Sequence, residues 1–290
     1  MKKRILFIIN PISGGKKKLS FPVLVKNFLD SNCFTASFVY TEWHGHATAL
    51  AMDAVKKGIE IVVSVGGDGT INEVASALEG TNTLMGIIPY GSGNGLARSL
   101  NIPLNDKKAI SRINSLRYRK IDSAVLNERK FFNMAGLGFD AHISAKFANL
   151  KNRGLKGYIS TAISEISAYI PDNYNLIIDG NHYQEDAFMI SIANSCQYGN
   201  NAYIAPEAEV DDGLLDVCII KPFPLIQFPV VGYHLFNKTV HKTPYVEIIK
   251  GKNIRIKRTN TGIVHLDGEP VEMDKEVIIS VKPLSLLVLN

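Results

Sequence analysis

The sequence predicts an α/β chain in two parts. A doubly wound parallel-sheet domain is expected over residues 1–122, and a mainly antiparallel β domain over residues 123–283. Three observations carry this reading. A strand–turn–helix unit recurs four times within about 100 residues, the pattern of a parallel sheet with helices on both faces. After Asp122 helices thin out and short apolar runs alternate with turns. Two hairpin signals, Asp179-Gly180 and Asp267-Gly268, join neighbouring runs in that second part.

Arg4 to Asn10 reads as the first strand, and Pro11 to Lys18 follows as a Gly- and Lys-rich loop. Lys16 or Lys17 in that loop would neutralise phosphate charge, the plainer alternative being a solvated basic loop. Ser20 and Pro22 suit the N-cap and first turn of a helix through Leu29. Thr35 to Thr41 alternates apolar and polar residues, a second strand. His44 and His46 flank Gly45, but no further ligand lies at metal spacing, so a surface turn is expected. Ala47 to Lys57 has helical periodicity, with Gly58 placed to end it.

Ile61 to Val65 is apolar and β-branched apart from Ser64, as in a strand buried on both faces. Gly66, Gly67 and Gly69 then permit a tight turn. Thr70 and Glu73 have capping-box spacing, which predicts a helix from Ile71. Free backbone amides at such a turn suit phosphate oxygens. Asp68, in the middle of the turn, calls for a cation or a proton donor, and Mg²⁺ on a nucleotide would supply the cation. Two familiar phosphate motifs fail here. Asn72 stands where the dinucleotide fingerprint needs glycine, and no Gly-Lys-Ser/Thr follows the turn. Leu84 to Pro89 is the fourth strand, running into Tyr90-Gly-Ser-Gly-Asn-Gly-Leu-Ala-Arg98, where Ser92 and Asn94 can hydrogen-bond a ligand. All these turns fall beyond the carboxyl ends of the strands, where such sheets bind ligands.

In the second part, Ser123 to Leu126 and Arg129 to Phe132 read as a hairpin. Ala141 to Ala148 and Lys156 to Tyr169 read as helices. Strands are expected at Asn175–Ile178, Ala187–Ala193, Leu214–Ile220, Val246–Ile249, Ile254–Lys257, Val264–Leu266 and Val277–Val281. The cleft between the two domains is the expected active site.

Composition narrows the function classes. Hydrophobic residues make up 46% and charged residues 20%, which suits a globular enzyme with a core. The net charge of +5 favours an anionic ligand or membrane surface, but no basic tail or base-stacking pattern supports nucleic acid. Cys33, Cys196 and Cys218 form neither a zinc pattern nor a disulfide framework, so a cytoplasmic location is expected. Ile5 to Ile9 is too short for a signal-peptide core, and Leu214 to Phe236 is broken by Lys221 and three prolines, so neither reads as a membrane span.

Gly66-Gly-Asp-Gly-Thr-Ile-Asn-Glu-Val74 resembles the signature of the diacylglycerol kinase catalytic-domain family, which includes bacterial lipid kinases and sphingosine and ceramide kinases. Further blocks follow in family order over nearly the whole chain. They are Asn10 to Lys16, Thr41 with Gly45 to Ala47, Pro89 to Arg98, Asn133 to Asp140, Ala205 to Asp216 and Leu266 to Glu269. The resemblance implies an NAD kinase-like nucleotide domain followed by a β-sandwich domain, with residues 284–290 returning to the first. It implies ATP with Mg²⁺, and transfer of phosphate to a lipid hydroxyl. Asn10, Ser13, Lys16, Thr41, Gly66, Gly67, Asp68, Gly69, Thr70, Ile71, Asn72, Ser92 and Asn94 would then bind the nucleotide. Glu269 is the implied general base, with Asp68 competing for that role. Glu209, Asp212 and Leu214 resemble a structural Mg²⁺ loop, the alternative being a plain turn before a strand. Ser92-Gly-Asn-Gly-Leu-Ala97 departs from the usual bacterial diacylglycerol kinase block toward the sphingosine and ceramide kinase version. Diacylglycerol is the first substrate expected, a sphingoid base or ceramide the second. A soluble acceptor such as NAD, or a non-catalytic regulator, stands behind them. The implied partners are a membrane lipid and a peripheral membrane surface. The basic balance makes exposed lysines near the cleft the expected contacts, with the apolar Phe223–Phe236 stretch the place to look if docking is not electrostatic. A homodimer is compatible with all of this.

Overall fold

The computed structural model describes residues 2–15, 18–148 and 155–290. The chain divides into two compact units, one formed by Met1–Ile121 with Leu284–Asn290 and the other by Asp122–Pro283.

The first unit is built on four parallel strands, β1 (Lys3–Ile9), β2 (Phe34–Tyr40), β3 (Ile61–Gly66) and β4 (Leu84–Pro89), in the order β2-β1-β3-β4. All six residues of β3 are buried, as its β-branched run requires. Between the strands lie α1 (Phe21–Phe28), α2 (His46–Lys56) and α3 (Asp68–Leu78), and after β4 come α4 (Gly95–Ser99) and α5 (Asp106–Ile113). α1 packs with α5, and α2 with α3. Gly58 ends the second helix region at φ 67°, the left-handed stop the sequence called for. His44 is exposed, and His46 opens α2 with its ring stacked 3.7 Å from that of Trp43.

One start signal was misplaced. The third helix begins at Asp68, not Ile71, because Gly67 is the extended N-cap and its carbonyl already accepts the Ile71 N–H. Thr70 is therefore inside the helix, and Glu73 does not close a capping box. Its two oxygens instead accept the N–H groups of Gly45 and Ala47, 2.9 Å each, at the start of α2.

The second unit contains two sheets. After β5 (Tyr118–Leu126) and β6 (Arg129–Phe131), which form the expected hairpin, come β7 (Met134–Gly138), α6 (Phe139–Ala148) and α7 (Leu155–Glu165). Then follow β8 (Asp172–Ile178), β9 (Asn181–Ala187), β10 (Met189–Ala193), β11 (Leu215–Ile220) and α8 (Phe228–Phe236). The chain closes with β12 (Val246–Gly251), β13 (Asn253–Arg258), β14 (Gly262–Leu266), β15 (Glu269–Met273) and β16 (Glu276–Leu289). One sheet is antiparallel in the order β12-β11-β10-β7-β14-β15, and in the other β16, β13, β8 and β9 are successive antiparallel neighbours.

The alternation of β10 and β11 explains this arrangement. Ile190, Ile192, Val217 and Ile219 join a core shared with Leu176, Ile178, Ile254, Ile256 and Ile279 of the facing sheet. Met189, Ala193, Cys218 and Ile220 point the other way, into a second core roofed by α6, α7 and α8. A sheet buried on both faces has no polar side, so its strands read as continuous apolar runs.

The sequence expectations differ from this at several elements. Ala187–Ala193 is not one strand: Ala187 ends β9 and Met189 starts β10. The strand β7 and the helices α5 and α8 were not foreseen, and β9 and β15 were announced only by the hairpin turns that precede them. The expected strand Val277–Val281 and the returning residues 284–290 share one strand, β16 (Glu276–Leu289), whose far end pairs in parallel with β4 through Val288 and Met85. Among the described residues no helix is long and apolar enough to cross a membrane.

Candidate functional site

The parallel register brings the turns of the first unit to one edge. Ile9 pairs with both Tyr40 and Val65, and Gly66 pairs with Pro89, so Asn10, Thr41, Gly67 and Tyr90 all leave the sheet at the same end. Asn10 stitches two of these turns together. Its backbone N–H donates to the Val65 carbonyl at 3.0 Å, and its side-chain amide donates to the Thr70 hydroxyl at 3.0 Å. Its side-chain carbonyl accepts the Ile12 N–H, and its backbone carbonyl accepts the Ser13 hydroxyl. Thr41 joins the edge through its N–H, which donates to the Ile9 carbonyl.

The loop after Asn10 is pressed against the fourth turn. Gly14 has φ 63°, and a Cβ there would lie 2.0 Å from the Tyr90 carbonyl oxygen, so only glycine fits. Lys18 is buried, donates to the Ser13 carbonyl at 2.6 Å, and sits 4.9 Å above the Tyr90 ring. The lysine that the structure describes thus shapes the loop. Lys16 and Lys17, the expected phosphate partners, lie outside the described residues. Burial, with the nearby Asp106 carboxylate that accepts its hydroxyl at 2.7 Å, pushes the Tyr90 phenol well above its usual range.

Asp68 joins the two glycine turns. One carboxylate oxygen accepts the Asn94 N–H and the other the Gly95 N–H, each at 2.9 Å. The donor that the sequence demanded for this carboxylate is therefore the opening backbone of α4. The turns touch directly as well: a Cβ on Gly91 would lie 2.8 Å from the Gly67 Cα. Asn94, buried and left-handed at φ 53°, uses its amide on the turn itself, accepting from Gly91 N–H and donating to Gly91 carbonyl at 2.8 Å each. Ile71 is buried, the Asn72 amide oxygen accepts from Ser76, and Ser92 is exposed at the tip of the turn. Gly66 lies at the end of β3, and Gly69 and Thr70 are in the first turn of α3.

In the second unit Glu269 is exposed and follows the Asp267-Gly268 hairpin, opposite Leu266. Asp267 and Gly268 have φ 49° and 88°, so the turn is the left-handed one their identities predict. The hairpin is anchored from beneath. The Asp267 carboxylate accepts the N–H groups of Phe132, Asn133 and Met134 at 3.0, 2.9 and 3.0 Å. Ser144 on α6 donates to the Gly268 carbonyl at 2.8 Å. Two residues before Asp267, buried His265 meets buried Asp140 at 3.1 Å. The same Asp140 oxygen accepts the hydroxyls of Ser191 and Tyr198 at 3.1 Å each, and its other oxygen accepts the Ala141 N–H. Burial, with the Asp140 charge adding to it, drives the Tyr198 phenol far above its usual range. Sequence reasoning singled out Glu269 and read Asp267 only as a turn residue, missing its anchoring role and the Asp140–His265 pair, because the partners lie more than 100 positions apart.

The loop Glu209–Leu214 is held by one ion pair and by backbone hydrogen bonds. One Asp212 oxygen meets the Lys250 ammonium at 2.9 Å, and the other accepts the Leu214 N–H at 3.0 Å. Asp122 takes the Gly213 N–H at 2.7 Å. Among the described residues no group of three or more His, Cys, Asp or Glu could hold a metal. Mg²⁺ wants near-octahedral oxygens. The Asp212 carboxylate, through which the implied Mg²⁺ loop would act with main-chain or water-mediated contacts, is paired here with the Lys250 ammonium.

Residues 4–126 match the family profile described as the diacylglycerol kinase catalytic domain, and residues 133–290 that of the YegS C-terminal NAD kinase beta sandwich-like domain. A Yersinia pestis (strain Pestoides F) protein named "Probable lipid kinase YegS-like" is 30% identical over 279 residues, covering 92% of this chain and 90% of that one. The chain belongs to the YegS-like lipid kinase family. A relative of the same name from Pseudomonas putida is 32% identical to this lipid kinase over 237 residues, covering 79% of it and 76% of the relative. A diacylglycerol kinase crystal structure from Bacillus anthracis is similar to it with TM-score 0.76 at 21% identity, covering 99% of this kinase and 96% of that chain. An NAD kinase from Archaeoglobus fulgidus in complex with ATP gives TM-score 0.55 at 14% identity, covering 99% and 93%. At these identities the two structures share the kinase's fold.

Proposed function

We propose that this lipid kinase transfers the γ-phosphate of ATP to the hydroxyl of diacylglycerol, giving phosphatidic acid. The observation that carries the reading is the junction at Asp68. One carboxylate there holds two glycine turns side by side at the strand ends, with Asn10 and Thr70 bonded beside them. Backbone amides ordered this way suit the oxygens of a triphosphate. ATP as donor is supported by the kinase family and by the fold shared with an ATP-complexed NAD kinase.

Asn10, Ser13, Lys16, Thr41 and Gly66 to Asn72 would hold the nucleotide, with Ser92 at the turn tip. Asn94 would contribute by fixing the turn. Mg²⁺ bound to the triphosphate would neutralise charge as phosphate moves. Glu269 would take the hydroxyl proton while the lipid oxygen bonds to the γ-phosphorus and the bond to the ADP oxygen breaks. Asp68 is the weaker candidate base, because each of its oxygens already accepts a backbone N–H.

A second acceptor class has its own support. The block Ser92-Gly-Asn-Gly-Leu-Ala97 is closer to the version in sphingosine and ceramide kinases. Label transfer from γ-labelled ATP should be measured in parallel on diacylglycerol, sphingosine, ceramide and NAD. Diacylglycerol is expected to be the best acceptor. Preference for a sphingoid acceptor would replace the substrate, and transfer to NAD alone would overturn the lipid reading.

A further inference from the structure

We infer that the outer face of α8, with the 3₁₀ turn before it, is a bilayer-docking surface that enters the headgroup region of an anionic membrane. The inference rests on the lipid-kinase reading only in that a bilayer is where such a substrate lies.

The inner face of α8 is accounted for: Val231 is buried, and Phe228 and Leu235 pack on the core under the six-stranded sheet. Its outer face is apolar too. Ile226 is 81% exposed, Tyr233 64%, Leu225 53%, Val230 45% and Phe236 44%. Ile226, Val230 and Tyr233 fall at spacings of four and three, so they share one side of the helical segment. A cluster of large apolar side chains held in water marks an interaction site rather than scattered surface residues. A second helix over the same core repeats the pattern. α7 buries Ala162 in the same core and leaves Ile159 and Ile163, four residues apart, exposed, with Ile170 just beyond it 83% exposed.

Charge selects the occupant. Between Asp216 and Glu247 there is no acidic residue, whereas Lys221, Lys238 and Lys242 all fall in that stretch. Lys221 is paired with Glu185 and Glu247, and Lys238 stands 4.5 Å over the Tyr203 ring. His241, Lys238 and Lys242 are exposed just past α8. An apolar helical face with a rim of cations is the make-up of an interfacial helix lying in the plane of an anionic bilayer. Residues 225–236 are too few to span one. A second copy fits less well, because a two-fold contact would bring this cationic rim against itself.

The test is co-sedimentation of the full chain with neutral phosphatidylcholine vesicles and with vesicles carrying phosphatidylglycerol. The doubly substituted Ile226→Asp, Tyr233→Asp chain should lose about tenfold or more of its partition to both vesicle types. Its turnover on a short-chain diacylglycerol dispersed as monomers should stay unchanged. If the double aspartate variant loses its folded circular dichroism signal, Ile226→Ser, Tyr233→Ser replaces it. Lys238→Gln with Lys242→Gln should remove only the extra affinity for anionic vesicles and its salt dependence. Wild-type partition by the folded apolar-face variant would overturn the proposal, as would a dimer-to-monomer change with partition intact, which would assign the face to a second copy. A wild-type chain that binds vesicles through this face yet phosphorylates no lipid would overturn the kinase reading and leave the docking surface standing.

Discussion

Asp68 meets two backbone N–H groups with two oxygens, and each such charge-assisted bond contributes on the order of 2 kcal/mol. Removing it frees the opening of α4 from the glycine turn, and any phosphate bound there loses the geometry of both. Asp68→Ala is expected to abolish turnover. A purified, folded variant retaining more than about a tenth of wild-type kcat, equivalent to only ~1.4 kcal/mol of barrier, would contradict this role. Asp267 is a comparable anchor for the second unit, with three N–H groups on one nearly buried carboxylate. Asp267→Ala strands all three and should cost about 3 kcal/mol or more of unfolding free energy in a denaturant titration. A loss under about 1 kcal/mol would show that water replaces the carboxylate without penalty. The sequence made both aspartates visible in different ways. Asp68 among glycines announced that it needed a cation or donor. Asp267 before Gly268 announced a turn. The donors themselves were not legible, since they lie 26 and more than 130 positions away.

Elements were most legible where local pattern and burial agree. β3 and its glycine turn follow from a β-branched run cut by glycines, and Asp179-Gly180 does give the β8–β9 hairpin. They were least legible where tertiary bonds override local spacing. Thr70 and Glu73 look like a capping box, but Asn10 and the start of α2 take their side chains. α8 was hidden by its prolines, although Pro229 sits in the first turn, where a helix tolerates it. Strand β11 carries a pH test. Burial raises the Asp216 carboxyl to about 6, with Asp212 and Glu207 adding to the rise and Lys250 opposing it. The folded chain therefore keeps this proton over a pH range in which the unfolded chain has lost it. The contribution of Asp216 to stability is highest below about pH 4 and falls as pH climbs through about 6. Asp216→Asn should accordingly stabilise the chain at pH 7.5, by up to about 3 kcal/mol, and change little at pH 4. Destabilisation at both pH values would mean that the Lys250 pair outweighs the burial.

At the scale of the whole molecule, the two-part division and the change from parallel to antiparallel sheets were readable from four repeated units followed by closely spaced short strands. The partition of the second unit's core was not. A run such as Met189–Ala193, apolar apart from Ser191, says that both faces are buried, but not that one face meets a sheet and the other three helices. The most direct measurement is transfer of the γ-phosphate of ATP to diacylglycerol by the wild-type chain and by Glu269→Gln side by side, with ATP affinity measured separately. Transfer by the wild type, together with a roughly 100-fold or greater loss of rate in the variant at unchanged ATP affinity, is the predicted result. An unchanged rate with weakened ATP binding would contradict it, moving Glu269 to the nucleotide and leaving Asp68 as the base.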